Sequence, residues 1–133
     1  MPLQLWQTPG SPSMGLYVLP YIGGVIGLGL GLFAIFRPYG AAKLVGIKID
    51  DALPHSISEV RATYGGVFAG GHAFALVTGS DTAFVTLACG WGLTGIVRLV
   101  SMVIDRAANG ANYGGTAFEF VIAALLATPF LIS

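Results

Sequence analysis

The sequence predicts an all-α fold, an integral membrane four-helix bundle. Three observations predict it: a scarcity of charge, four continuous apolar runs of spanning length, and segregation of the basic residues onto alternate connections. Of 133 residues, 55% are apolar and only 9% charged, against roughly 25% charged in a soluble domain. Twelve charged side chains cannot cover the surface of a water-soluble protein of this size, so lipid is the expected solvent. Six Lys and Arg balance six Asp and Glu. No net field exists to recruit nucleic acid.

The elements follow in order. Residues 1–14, "MPLQLWQTPGSPSM", contain no Lys or Arg and are broken by Pro9, Gly10 and Pro12. They are expected to form a non-helical or interfacial lead-in, with Trp6 at the membrane interface. The absence of a positive n-region argues against a cleaved signal peptide. The transmembrane domain is expected over 15–133. A span needs about 20 mostly apolar residues. The first covers about 15–36 and ends at Arg37-Pro38, with Pro20 in its tolerant first turns. The second covers about 58–78, the third 82–104, and the fourth 116–132, with Pro129 near its end. Continuous apolar runs are a poor fit to barrel strands, which alternate. "TGSD" at 78–81 reads as a tight turn with Ser80 or Asp81 as N-cap, and "DRAANGANYGG" at 105–115 as a loop. The longest connection, 37–57, leaves open whether residues 40–52 form an interfacial helix or an irregular loop.

Basic residues set the orientation. Arg37, Lys43 and Lys48 lie in the first connection, Arg61 just beyond it, and Arg106 in the third. The lead-in, the 78–81 turn and the C-terminal residues have none. Cytoplasmic loops retain Lys and Arg, so both termini are expected on the non-cytoplasmic side.

Lipid tails are as apolar as Leu, so membrane helices associate through close packing of small residues. Gly23, Gly27 and Gly31 form two GxxxG steps in span one, and Ala62, Gly66 and Gly70 repeat the device in span two. Ala88 and Gly92 offer the same in span three. The expected partners are the lipid bilayer and other membrane subunits or further copies of the chain.

Several polar residues sit inside these runs. Ser58, Arg61, Gly65 and His72 share one helical face, as do Thr94, Arg98, Ser101 and Asp105. Arg98 lies about 10 Å inside Asp105. Glu59, Arg61, Arg98, Asp105 and Glu119 collect in the cytoplasmic half. Exposure of an Arg at mid-bilayer costs at least about 2.5–3.5 kcal/mol, so these residues are expected to form a structural polar cluster joining spans two, three and four. Two other readings stand beside it. Ser56-x-x-Glu59 and Thr116-x-x-Glu119 match the capping box, with Arg61 snorkelling to the interface. Alternatively, the charges mark a ligand or proton site. His72 lies mid-span; it either packs through hydrogen bonds or ligates a haem or pigment. Cys89 stands alone in an apolar stretch and is expected to be a buried inert thiol. There is no cysteine metal motif, no phosphate-binding loop, no HExxH and no nucleophile elbow.

"SEVRATYGGVFAGG", followed by "GIVRLVSMVID" and a glutamate in the last span, resembles the DUF4345 family of small bacterial membrane proteins. The resemblance runs from span one to span four and centres on Glu59, Arg61, Ala62, Tyr64, Gly65 and Gly66, with Arg98, Asp105 and Glu119 as later matches. It implies four helices in a bacterial inner membrane and transfers no activity. His72 and Trp91 fall outside the pattern. The function expected is therefore non-enzymatic: an accessory or assembly subunit of a larger membrane complex. The alternatives are a binder of a small lipophilic or ionic ligand within the bundle, and a haem- or pigment-binding carrier through His72. No cofactor is expected outside that last case.

Overall fold

A computed structural model describes residues 14–132, so all of the lead-in but its last residue, Trp6 included, lies outside the described residues. Among the described residues the chain is all helical, with no strand. A 3-10 turn, Met14–Tyr17, leads into α1 (Leu19–Phe36). Arg37 leaves the helical region, with φ −132° and ψ 58°, because Pro38 disfavours the α conformation in the residue before it. The short helix α2 (Pro38–Leu44) follows. Of the two forms open for residues 40–52, the structure thus combines both: the end of a helix, then a loop that turns at Gly46, where φ is +76°.

The second hydrophobic run is not a plain α-helix. It begins as α3 (Pro54–Glu59), continues as a π-helical segment (Val60–Val67), and ends as α4 (Phe68–Thr78). Val60 and Gly65, five residues apart, are both buried, as the i→i+5 repeat of a π turn allows. Gly79, with φ +60°, closes α4, and Ser80 caps α5 (Asp81–Ile104) by accepting from the Ala83 amide at 3.3 Å. The fourth span is longer than expected. α6 (Gly110–Leu131) starts six residues earlier, capped by Asn109, whose Oδ1 accepts from the Asn112 amide at 2.9 Å. The glycines of "GANYGG" suggested a loop, but the Asn cap and packing against α5 outweigh their weak helix propensity. Pro129 sits inside α6. It lacks the amide that would bond the Leu125 carbonyl, and the Thr128 hydroxyl donates to that carbonyl instead, at 2.8 Å.

Three described helical stretches are long and apolar enough to cross a membrane: Gly15–Phe36, Asp81–Ile104 and Gly110–Leu131. α5 and α6 pair closely along their lengths; α1 packs on the π segment and α4, and α1 also meets α6. The main core comprises Ala75, Phe84, Ala88, Trp91, Ile122 and Leu126. A smaller cluster of Ala42, Ile49 and Val60 ties the first connection to the π segment. The outer faces carry exposed Val25, Phe74, Val77, Val103, Phe130 and Leu131, each at least 61% exposed. In water a surface of this kind would drive association, so it suits a lipid environment.

Three sequence expectations are corrected here. Gly66 and Gly70 do not pack against another helix of the chain among the described residues: a Cβ on Gly70 would meet nothing within 4 Å, and one on Gly66 only the Arg61 carbonyl at 4.0 Å. The packed face instead carries Gly65 and Ala69, because the π segment sets the register against α1. A Cβ on Gly65 would lie 2.6 Å from Ile35 Cγ1, and one on Gly31 2.4 Å from the Ala69 nitrogen. Neither capping box forms. The N-cap of α3 is Leu53, Ser56 bonds to the Asp50 backbone, and Thr116 lies in the second turn of α6 rather than at its start. Cys89 is exposed, not buried: it lies in an open surface groove between α5 and the end of α6, beside the core residue Ala88.

Candidate functional site

One end of the bundle gathers the connections 37–53 and 105–109, and with them Arg37, Lys43, Lys48, Arg61 and Arg106. The five-residue polar cluster does not form there as a unit. Its heart is a single pair. Arg98 on α5 and Glu119 on α6 make the one salt bridge among the described residues, Nη2 to Oε1 at 2.6 Å. Arg98 Nε also donates to both carboxylate oxygens, at 3.1 and 3.0 Å, and Nη1 donates to Asn112 Oδ1 at 3.0 Å. Asn112 is held in turn by donating to the Ala107 carbonyl at 2.7 Å. The Arg98 stem passes over Gly115, where a Cβ would sit 3.4 Å from the guanidinium carbon. Glu119 is 4% exposed, and its Arg98 partner's side chain 29%. Three of the five guanidinium N–H groups are thereby used. One on each terminal nitrogen has no partner among the described residues.

The other three charges go elsewhere. Arg61 Nη1 donates to the Ile35 carbonyl, one of the orphan acceptors left where α1 breaks before Pro38. Glu59 accepts from the Thr63 hydroxyl at 2.6 Å, and Asp105 from Ser101 at 2.7 Å. Each satisfies its own helix. Nearby, Tyr39 donates to Asp51 at 2.7 Å, a hydrogen bond that raises the phenol's pKa above its ordinary value. Thr116 Oγ1 is a buried hydroxyl without a hydrogen-bond partner in the structure.

His72 is buried, 2% exposed, and faces α1 at Gly27. Its Nδ1 donates to the Phe68 carbonyl at 2.7 Å, and its Nε2 accepts from the Trp91 indole at 3.1 Å. The imidazole is therefore neutral, with the proton on Nδ1. The ring stacks on Phe68 and meets Trp91 edge-on, and Trp91 continues the chain to Phe118. A metal at His72 would need the lone pair that the indole already occupies, beside a glycine face with no room for a single carbon. The geometry fits a packing role. The Trp91 contact escaped the sequence reading, yet a tryptophan buried in an apolar span needs an acceptor, and His72 is the natural one at that depth.

Between the two helix pairs an open cavity of about 910 Å³ runs inward from this end. Leu30 and Phe33 of α1 line it, with Ala42 to Ile47 after the break, Val60 and Tyr64 of the π segment, and Phe68. The facing wall is Trp91, Thr94 and Arg98 of α5 and, around the start of α6, Asn109 to Asn112, Gly114, Gly115, Phe118 and Glu119. α4 reaches α5, whereas the π segment packs chiefly on α1, α2 and α3, and the cavity opens where the two pairs diverge. No group of three or more metal-ligating side chains occurs among the described residues.

The DUF4345 family model, described as a domain of unknown function, matches residues 16–128. The chain belongs to that family. The match takes in every residue lining the cavity and all of the long helices except the last three residues of α6. Comparisons with curated proteins and with solved structures gave no match. Within this DUF4345 chain, the motif "EVRATYGG" has a physical reading. It is Glu59 followed by all but the last residue of the π segment: Arg61 closes the end of α1, Gly65 admits α1 to van der Waals contact, and Tyr64 is left to line the cavity.

Proposed function

We propose that this protein is a non-enzymatic, multi-pass membrane protein that holds a small amphiphilic molecule between its two helix pairs. The observation that carries the reading is the cavity of about 910 Å³ with apolar walls and a charged rim, within the range of about 300–1,000 Å³ typical of small-molecule sites. In this reading all four helical rods cross the membrane, the 54–78 rod included. The cavity mouth then faces the cytoplasm with the basic connections, and both termini lie on the other side of a bacterial inner membrane. Phe68, Trp91 and Phe118 form the inner wall, and His72 holds the Trp91 indole from outside it.

Gentle purification followed by native mass spectrometry and solvent extraction tests it. A bound lipophilic molecule is expected with the parent protein and lost from Thr94→Trp, which fills the cavity. An empty parent protein, with unfolding unchanged by the substitution, would refute the reading. The absorption spectrum of the same sample bears on a haem or pigment.

A second reading, an accessory subunit of a larger complex, is supported by the open Gly66 and Gly70 positions, which leave a smooth face on the π segment and α4. Proteins that co-purify with the parent chain but not with Gly70→Leu would favour it.

A further inference from the structure

We infer that the cavity selects a single-chain amphiphile with a monoanionic head, a long-chain carboxylate being the simplest case. This rests on the binder reading above and names the class of ligand. The charges on the cavity wall are two cations, Lys43 and Arg98, against one carboxylate, Glu119. Their formal sum is +1. Glu119 already accepts three hydrogen bonds from Arg98, so its charge is spent. Lys43 has no ion pair among the described residues, and two N–H groups of Arg98 stand without partners. An occupant that displaces water from the two Arg98 N–H groups without replacing their hydrogen bonds meets a desolvation penalty. A neutral head gains no attraction from the exposed Lys43 charge, and a cationic head is repelled by it. A dianion brings a second negative charge to face Glu119 in a medium of low dielectric constant. One negative charge closes the balance.

The tail follows from the inner wall. Leu30, Phe33, Phe68, Trp91 and Phe118 are apolar or aromatic, and the Trp91 N–H is already bonded to His72, so nothing there asks for a polar group. Trp91 lies seven residues inside Arg98 on α5, about 10 Å along the axis. A chain anchored at Arg98 and Lys43 thus runs inward to the aromatics. The volume suits a drug-sized molecule rather than a two-chain lipid.

The experiment uses the 133-residue chain in zwitterionic nanodiscs with Trp6→Phe, which leaves Trp91 as its single indole. Quenching of Trp91 is titrated with a dibrominated long-chain fatty acid, its methyl ester and the matching alkyl phosphate. Saturable quenching by the acid is expected at a concentration at least about fivefold below that of the ester or the phosphate, the equivalent of one modest ion pair. Lys43→Gln, on the exposed end of α2, is expected to erase most of that preference while thermal unfolding stays unchanged. An ester as potent as the acid overturns the inference and leaves the binder reading standing, as does a phosphate that outcompetes the acid. If none of the three quenches saturably, the binder reading itself falls.

Discussion

Gly27→Ala adds one carbon at the tightest point in the bundle. A Cβ at this position would lie 2.1 Å from His72 Nε2, 2.2 Å from Cδ2 and 2.6 Å from Cε1. Ordinary contact between such atoms is about 3.5–4.0 Å, so the ring must retreat by more than about 1 Å. It has nowhere to go without loss. Nδ1 is tied to the Phe68 carbonyl, Phe68 stacks on the ring, and Trp91 holds Nε2. Overpacking a filled core costs about 1–3 kcal/mol, and leaving the buried indole N–H without its acceptor about 1–3 more. The expected loss is about 2–6 kcal/mol, a large share of a total stability of about 5–15. The sign should reverse once the obstacle is gone. In a His72→Ala background the new methyl has space, and Ala exceeds Gly in helix propensity by about 0.8–1.0 kcal/mol, so Gly27→Ala is expected to stabilise. Thermal and denaturant unfolding in a maltoside detergent, followed by far-UV circular dichroism, reads both. Equal effects of Gly27→Ala in the two backgrounds would refute the contact between α1 and His72.

Other outcomes follow from the same geometry. Arg98→Met strands the buried Glu119 carboxylate and is expected to cost up to about 3–5 kcal/mol, whereas Arg98→Met with Glu119→Gln costs less than Arg98→Met alone; additive losses in that cycle would mean the two residues do not interact. Gly31→Ala, set against the Ala69 backbone, is expected to lower the unfolding midpoint, and Gly70→Ala, set against open space, to leave it unchanged or raise it; the reverse order would place the packed face where the sequence first suggested it. A reporter fused at Lys48 should stay cytoplasmic and one fused after Ser133 should be exported, and a cytoplasmic reporter at Ser133 would overturn the proposed orientation.

Composition and the continuous apolar runs made the all-helical architecture legible, and with it three helices long and apolar enough to cross a membrane. So few charges and so many continuous apolar runs leave helices in lipid as the natural solution, because a span must satisfy its backbone hydrogen bonds internally. Gly23, Gly27 and Gly31 could also be read as a packed face, since three glycines four residues apart fall on one side of a regular helix, and all three are buried. What the sequence could not supply was register beyond a regular repeat. Ala62, Gly66 and Gly70 have the same spacing as the glycines of α1, yet the π segment turns Gly65, Ala69 and His72 inward instead. Nor do six cations and six anions declare their partners. Arg61, two residues from Glu59, spans to α1 because the Arg37-Pro38 break leaves a carbonyl unbonded. Arg98, 21 residues from Glu119, pairs with it because α5 and α6 bring the two to one level. The hydrophobic pattern determined which stretches become the long apolar helices. The choice of partner, and the cavity left between the pairs, belonged to the three-dimensional packing: contact depends on which atoms fill the space beside a side chain, and that is fixed only when neighbouring helices take their positions.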